Sequence, residues 1–220
     1  HITCGGHVPT FCYENILKDC SAIDTVVRHE GEHTLNELVE TLENSKQLKG
    51  IKGLVYRSEG GIVVEPPRPT IKDLDILPRP KLRNPGPFSV GGVPVAFVIT
   101  ARGCFGACTY CSIQSFGRDA GGPLLRLRQV ESVADEIADH YHQCDIRTFF
   151  FQDDLFVLPN RQRTLRRMHE MSAALQRRGL DTPVFWVKGR PESITQDIAK
   201  TARELGVVHM FLGVENASDQ

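Results

Sequence analysis

Apolar positions along the chain alternate between two rhythms. The runs "AIDTVVR" (22–28), "PVAFVIT" (94–100), "IRTFFFQ" (146–152), "TPVFWVK" (182–188) and "VHMFLGV" (208–214) are short and rich in β-branched and aromatic residues, which predicts strands. Between them apolar residues recur at helical spacing: Val130, Val133, Ile137 and Tyr141, then Leu165, Met168 and Leu175, then Ile198, Ala202 and Leu205. Gly179 and Gly206 follow the second and third of these sets, where a helix commonly stops. Nearer the N-terminus a short helical stretch near Glu14 to Lys18 precedes the first strand. Thr34, with Glu37 three residues on, has the form of a capping box, and it opens a helix whose expected apolar face is Leu35, Leu38, Val39 and Leu42. "GIKGLVYRSEGGIVVEPPRP" predicts an antiparallel hairpin turning at Gly60 and Gly61.

These elements divide the chain into three stretches. Residues 1–65 hold one β/α layer and the hairpin. Residues 66–93, with "LPRPKLRNPGPF" inside them, have no periodicity and predict a linker. Residues 94–220 repeat strand and helix four times, and each such step implies a parallel crossover, in a barrel or in an open sheet. In either architecture chemistry collects at the carboxyl ends of the strands. The loop after "PVAFVIT", Asp153 with Asp154, and Glu215 with Asn216 all fall at such ends. The chain opens on His1, as if leaving a strand in progress, and stops just past another, so it is expected to be a piece of a longer protein.

Composition narrows the function classes. With 40% hydrophobic and 24% charged residues, 220 residues suffice for a buried core. Lys+Arg 26 against Asp+Glu 27 leaves a net charge of -1, so no global attraction to nucleic acid or anionic lipid is expected. No apolar run approaches the ~20 residues of a membrane helix, and a cytoplasmic location is expected. In a reducing compartment clustered thiols point to metal ligation rather than disulfides.

Three of the seven cysteines stand together in "VITARGCFGACTYCSIQSFGRD" as C-x3-C-x2-C, at Cys104, Cys108 and Cys111. Gly103 and Gly106 let the backbone curl around them. The other four, Cys4, Cys12, Cys20 and Cys144, stand alone. A closed zinc site takes four ligands, usually as two separated pairs, and no second pair exists here. Three thiolates leave one coordination position open, which suits a reactive soft-metal centre; a structural zinc is the alternative.

This spacing, with Tyr110 just before the last cysteine and the loop after the first strand of a β/α series, resembles the signature of radical S-adenosylmethionine (SAM) enzymes. The resemblance covers about Gly91 to Gln220. It implies that Cys104, Cys108 and Cys111 bind three irons of a 4Fe-4S cluster whose fourth iron is chelated by SAM. Reductive cleavage of SAM would then yield a 5′-deoxyadenosyl radical. Tyr110 matches the aromatic position near the adenine. Where many members carry Gly-Gly-Glu, this chain has "FFFQDDLF", similar to an acidic variant of one subgroup. Gln152, Asp153 and Asp154 are thereby candidates for the methionine amino group, with capping of the next helix as the other reading of the two aspartates. Glu215, with Asn216, matches an acidic position after the fourth strand that approaches the cofactor. Arg190 could meet the methionine carboxylate or form a surface ion pair.

The N-terminal region resembles the last part of the cobalamin-binding domain that precedes the radical domain in one subgroup. Gly5 and Gly6 match a turn that approaches the corrin tail. Glu30, Gly31 and Glu32 match a Gly-Glu-Gly-Glu segment whose first glycine is His29 here; acidic charge at a helix N-terminus is the other reading of the glutamates. His7 is expected to be a surface or hydrogen-bonded histidine. The Asp-x-His-x-x-Gly cobalt loop of the family would lie upstream of His1. The implied fold is α/β: the C-terminal part of a Rossmann-like cobalamin-binding domain, followed by the first half or more of a radical SAM partial (β/α)6 barrel cut after its fourth strand. The implied activity is methyl transfer to an unactivated carbon or phosphorus from methylcobalamin. Cobalamin-independent radical chemistry, as cyclisation or rearrangement, and a non-catalytic zinc module are the alternatives. Expected partners are a small-molecule or peptide substrate and a reductant such as flavodoxin or ferredoxin.

Overall fold

The computed structural model describes residues 1–80 and 88–215. It forms two compact units that are not consecutive in sequence: His1–Lys72 with Gly106–Leu124, and Asp73–Phe105 with Leu125–Gln220.

In the first unit β1 (Thr3–Gly5) leads through α1 (His7–Asp19) into β2 (Thr25–Val27), which pairs with it in parallel. After α2 (Glu32–Glu43), strands β3 (Leu54–Ser58) and β4 (Gly61–Val64) add antiparallel, in the order β1-β2-β3-β4. Neighbouring residues point to opposite faces of a strand. Val26 and Val55 therefore pack with Leu17 of α1, whereas Val27 and Leu54 pack with Leu38 of α2. The expected hairpin is present, with Ser58 opposite Gly61.

Both helices differ from the expectation at their starts. α1 begins at His7 and is kinked at Cys12 (φ -114, ψ 19), so the expected stretch near Glu14 to Lys18 is its second part; the first part carries Pro9 in its first turn, where a missing N–H costs nothing. Its N-cap Gly6 sits at φ 98, a left-handed conformation that favours glycine. The capping box at Thr34 does not form. α2 starts at Glu32 with Gly31 as N-cap, the Thr34 hydroxyl donates to the Lys52 carbonyl at 2.9 Å, and Glu37 pairs with Arg68. Leu38 is buried as expected, but Leu35, Val39 and Leu42 are exposed. Helix α3 (Ser112–Ala120), which follows the cysteine loop, also belongs to this unit.

The second unit holds a five-stranded sheet in the order β11-β10-β9-β6-β5, built from β5 (Ser89–Val90), β6 (Val93–Val98), β9 (Thr148–Phe151), β10 (Val184–Gly189) and β11 (Val207–Leu212). β5 and β6 are antiparallel, and the other pairings are parallel. Two short strands, β7 (Ala101–Arg102) and β8 (Arg126–Leu127), pair beside it. The crossovers are α4 (Val130–Cys144), α5 (Arg161–Arg177) and α6 (Gln196–Leu205). Each parallel strand neighbours the next in sequence, so the sheet is wound in one direction. α6 ends at Gly206, whose φ of 106 is left-handed and where a Cβ would lie 2.4 Å from the Pro183 carbonyl oxygen, so only glycine fits.

Alternation again sorts the side chains. Ala96, Val98, Phe149, Phe151, Phe185 and Val187 enter one core with the three helices. Phe97, Phe150, Trp186 and His209 are matched in register on the other face, their ring centroids 5.6, 4.4 and 4.5 Å apart along the row. The expected linker is not featureless. Ile71 and Leu74 are buried, and Leu74–Ile76 makes a turn of 3-10 helix whose Asp75 accepts from the Gln129 N–H at 2.6 Å. An isolated apolar pair carries no period, so no pattern marked it.

Candidate active site

The cysteine loop leaves the carboxyl end of β6, and its first cysteine lies in the second unit. The backbone before Cys104 is held by buried polar groups. Asp153, 1% exposed, accepts from the Thr100 and Ala101 N–H groups at 2.6 and 2.9 Å through one oxygen and from the Thr100 hydroxyl through the other. Asp154 accepts from the Gly103 N–H at 2.9 Å. Arg128 donates to the Ile99 carbonyl at 2.9 Å and to Glu136 at 2.6 Å, and Arg167 donates to the Thr100 carbonyl at 3.2 Å. Burial drives the Asp153 carboxyl up to about 6, because it disfavours the charged form more than the Thr100 and Ala101 hydrogen bonds and Arg167 favour it. The same burial pushes the Arg167 guanidinium below its ordinary value.

These contacts answer one expectation directly. Neither aspartate caps α5; Asn160 does, accepting from the Arg163 N–H at 2.9 Å. Gln152 is exposed, its N–H bonded to the Val98 carbonyl at 2.8 Å. Arg190 pairs with Glu192, and its guanidinium lies 5.8 Å from the centre of the Phe105 ring, next to Cys104. Glu215 is exposed beyond β11, and Asn216 lies outside the described residues.

Cys108 and Cys111 lie in the first unit, where the Cys111 N–H bonds to the Cys108 carbonyl at 3.1 Å and Cys111 is the N-cap of α3. Tyr110 between them is 69% exposed. α3 is held by groups from the carboxyl ends of β1 and β2. His7 stacks on Phe116 at 4.2 Å and bonds Ser112 at 3.1 Å, so it is the hydrogen-bonded histidine expected. Arg28 and His29 both reach Asp119, at 2.6 and 2.7 Å. His29 adopts φ 60, at the position where the family resemblance implies glycine; histidine is among the residues that tolerate this region. Burial, then the Arg28 charge, lowers its basicity, against the pull of Asp119.

The cobalamin candidates share one sheet edge. Gly5 and Gly6 end β1, and a Cβ at Gly5 would lie 3.0 Å from the Val27 carbonyl oxygen whereas one at Gly6 would meet nothing. Glu30 accepts from the Ile71 N–H at 2.7 Å, Gly31 caps α2 and Glu32 is its first residue. Glu30 thus has a structural duty, and Glu32 stands where acidic charge favours a helix N-terminus.

The donor chemistry fits an iron–sulfur cluster. Cys104, Cys108 and Cys111 are half-buried, and the seven cysteines form no disulfide. Among the described residues no three His, Cys, Asp or Glu side chains converge on a single metal ion.

No family model matches the chain. It is 35% identical over 221 residues, 99% of its length, to an "uncharacterized methyltransferase" of Pyrococcus horikoshii. It is 32% identical over 223 residues to an anaerobic magnesium-protoporphyrin IX monomethyl ester cyclase of Cereibacter sphaeroides. Its fold matches the cobalamin-dependent SAM radical enzyme OxsB over 100% of the chain at a TM-score of 0.75 and 22% identity. The chain shares the fold of that radical SAM enzyme. The radical SAM methyltransferase TsrM of Kitasatospora setae has the same fold over 99% of the chain, with a TM-score of 0.72. The chain spans 46% and 35% of the two curated relatives, and 31% of OxsB. No helix among the described residues is long and apolar enough to cross a membrane.

Sequence reasoning did not find Thr100, Arg128, Arg167 and Asp119. The bonds that tie Thr100, Arg128 and Arg167 to the loop backbone or to Asp153, and Asp119 to Arg28, span 29 to 91 residues, and no local pattern announces such pairs.

Proposed function

We propose that the protein carrying this chain is a cobalamin-dependent radical SAM enzyme that transfers a methyl group to an unactivated carbon or phosphorus of a small-molecule or peptide substrate. The observation that carries this reading is the C-x3-C-x2-C loop at the carboxyl end of the first parallel strand in a sheet wound in one direction. That winding suits a partial (β/α)6 barrel, with residues 94–220 as its first four strands, residues 66–93 as the connection, and residues 1–65 as the end of a Rossmann-like cobalamin-binding domain.

Cys104, Cys108 and Cys111 would hold the cluster, which would supply the one-electron reduction of SAM, and a bound cobalamin would supply the methyl group. Gln152, exposed at a strand end, would accept a hydrogen bond from the methionine ammonium, Glu215 would approach the cofactor, and Tyr110 would lie against the adenine. Gly5, Gly6, Gly31 and the nearby glutamates would border the corrin tail. A reductant such as flavodoxin or ferredoxin would supply the electron. A second reading keeps the radical machinery and replaces methyl transfer by ring closure; the 32% identity to a cyclase favours it.

Anaerobic reconstitution tests the common part. The protein is expected to bind iron and sulfide in equal amounts and to turn brown, and Cys104→Ala, Cys108→Ala or Cys111→Ala should each abolish this. Cys144→Ala should leave it intact. Zinc as the native metal, or equal iron loss in the Cys144 variant, overturns the reading.

A further inference from the structure

Asp153 and Asp154 leave β9 as neighbours and face one short run of backbone. Together they accept from the N–H groups of Thr100, Ala101 and Gly103, three of the four residues that precede Cys104, and from the Thr100 hydroxyl. The carbonyls of the same run are gripped as well, Ile99 by the Arg128 side chain and Thr100 by the Arg128 N–H at 2.9 Å and by Arg167. Arg128 is itself fixed by Glu136, which is 2% exposed. Asp153 is buried and each of its oxygens already accepts hydrogen bonds, so it presents no surface to a ligand. Carboxylates suit this work because they accept several N–H bonds at once, and bonds to a charged acceptor are the strong ones.

We propose that Asp153 and Asp154 are positioning residues for the cluster loop: they clamp the backbone of Thr100 to Gly103 and so present the Cys104 thiolate, and buried Asp153 does this rather than meeting the methionine ammonium of SAM. The proposal rests on the reading of Cys104 as a cluster ligand. It assigns to the acidic pair after the second barrel strand a role in holding the cluster.

Three variants and three readouts test it. Asp153→Asn, Asp154→Ala and Thr100→Val are compared with the parent for amide hydrogen exchange over residues 99–104 in iron-free protein. The rate of iron loss to a chelator and the SAM affinity of the cluster-loaded protein are measured in parallel. Asp153→Asn and Asp154→Ala should speed exchange of the clamped amides, and iron release, by about tenfold or more, the factor for losing one hydrogen bond to a charged acceptor. SAM affinity should change by less than about threefold, below what losing one such bond would produce. Thr100→Val removes only the hydroxyl and should shift exchange and iron release in the same direction by less, which keeps the test decisive if Asp153→Asn fails to fold. Unchanged exchange in all three variants overturns the clamp. So does unchanged iron retention with SAM affinity reduced about tenfold, which would return the aspartates to the cofactor. If the parent itself takes up no iron the cluster reading fails, and the exchange rates alone still decide whether the aspartates hold the loop.

Discussion

The two arms of the cysteine loop are anchored by different physics. The arm before Cys104 is held by charged groups sunk in the second unit: Asp153 and Glu136 are 1% and 2% exposed, and Arg128 is 9%. The arm after Cys111 is helix α3, held in the first unit by a ring stack on Phe116 and by Asp119, whose side chain is 47% exposed. Buried ions are costly to bring out of water and costlier to leave unpaired, so the first arm tolerates no missing partner. Aromatic contacts and half-solvated ions give up less when one partner is lost. The first arm is thereby built for fixed geometry, and the second for graded adjustment.

The comparison breaks first at Arg128. Arg128→Met should strand the Glu136 carboxylate and cost about 3–5 kcal/mol, the usual penalty for removing one partner of a buried pair. Urea unfolding measures it, and a loss below about 1 kcal/mol, the scale of an exposed pair, would erase the contrast between the arms.

The next test uses pH. Asp153 has a folded value of about 6 against 3.8 for the free side chain. Because the folded value is the higher, the fold holds this proton more tightly. The stabilisation that results is complete below the unfolded value and is lost as the pH rises through about 6. The shift of about two units corresponds to about 3 kcal/mol. The stability advantage of the parent over Asp153→Asn should therefore be about 3 kcal/mol smaller near pH 7 than near pH 4. A difference independent of pH would mean that the carboxylate is solvated.

The smallest effect sharpens the other side. Asp119→Asn keeps an oxygen for Arg28 and His29 and removes a half-exposed charge, so it should cost about 1 kcal/mol or less. That cost should shrink further in high salt, where exposed charges are screened, whereas the Arg128 penalty should not. A salt-independent loss as large as that of Arg128→Met would show the two arms to be anchored alike.

Much of the fold was legible before any coordinates. The four parallel strands of the second unit, its three crossover helices and the hairpin came from period and from glycine placement, which are local properties. The helix starts were less legible. Thr34 and Glu37 satisfy the capping-box pattern, yet both are used by Lys52 and Arg68, tertiary partners that outcompete a local cap. Leu35, Val39 and Leu42 read as an apolar face because the sequence lists their hydrophobicity but not which side of α2 meets the sheet. For the site, the three cysteines announced themselves, since the chemistry of a cluster requires thiols at close spacing.

The places of the parallel strands along the chain, the positions of the glycine stops and the presence of a three-thiol loop at a strand end were determined by the sequence alone, because each depends on residues within a few positions of one another. What the two aspartates after β9 do was decided by the tertiary structure. In sequence Asp153 lies 53 residues from Thr100, and only the parallel pairing of β6 with β9 brings the two carboxylates onto the backbone ahead of Cys104. The same holds for Asp119: its partners at Arg28 and His29 are 91 and 90 residues away, and only the packing of α3 in the first unit brings them together.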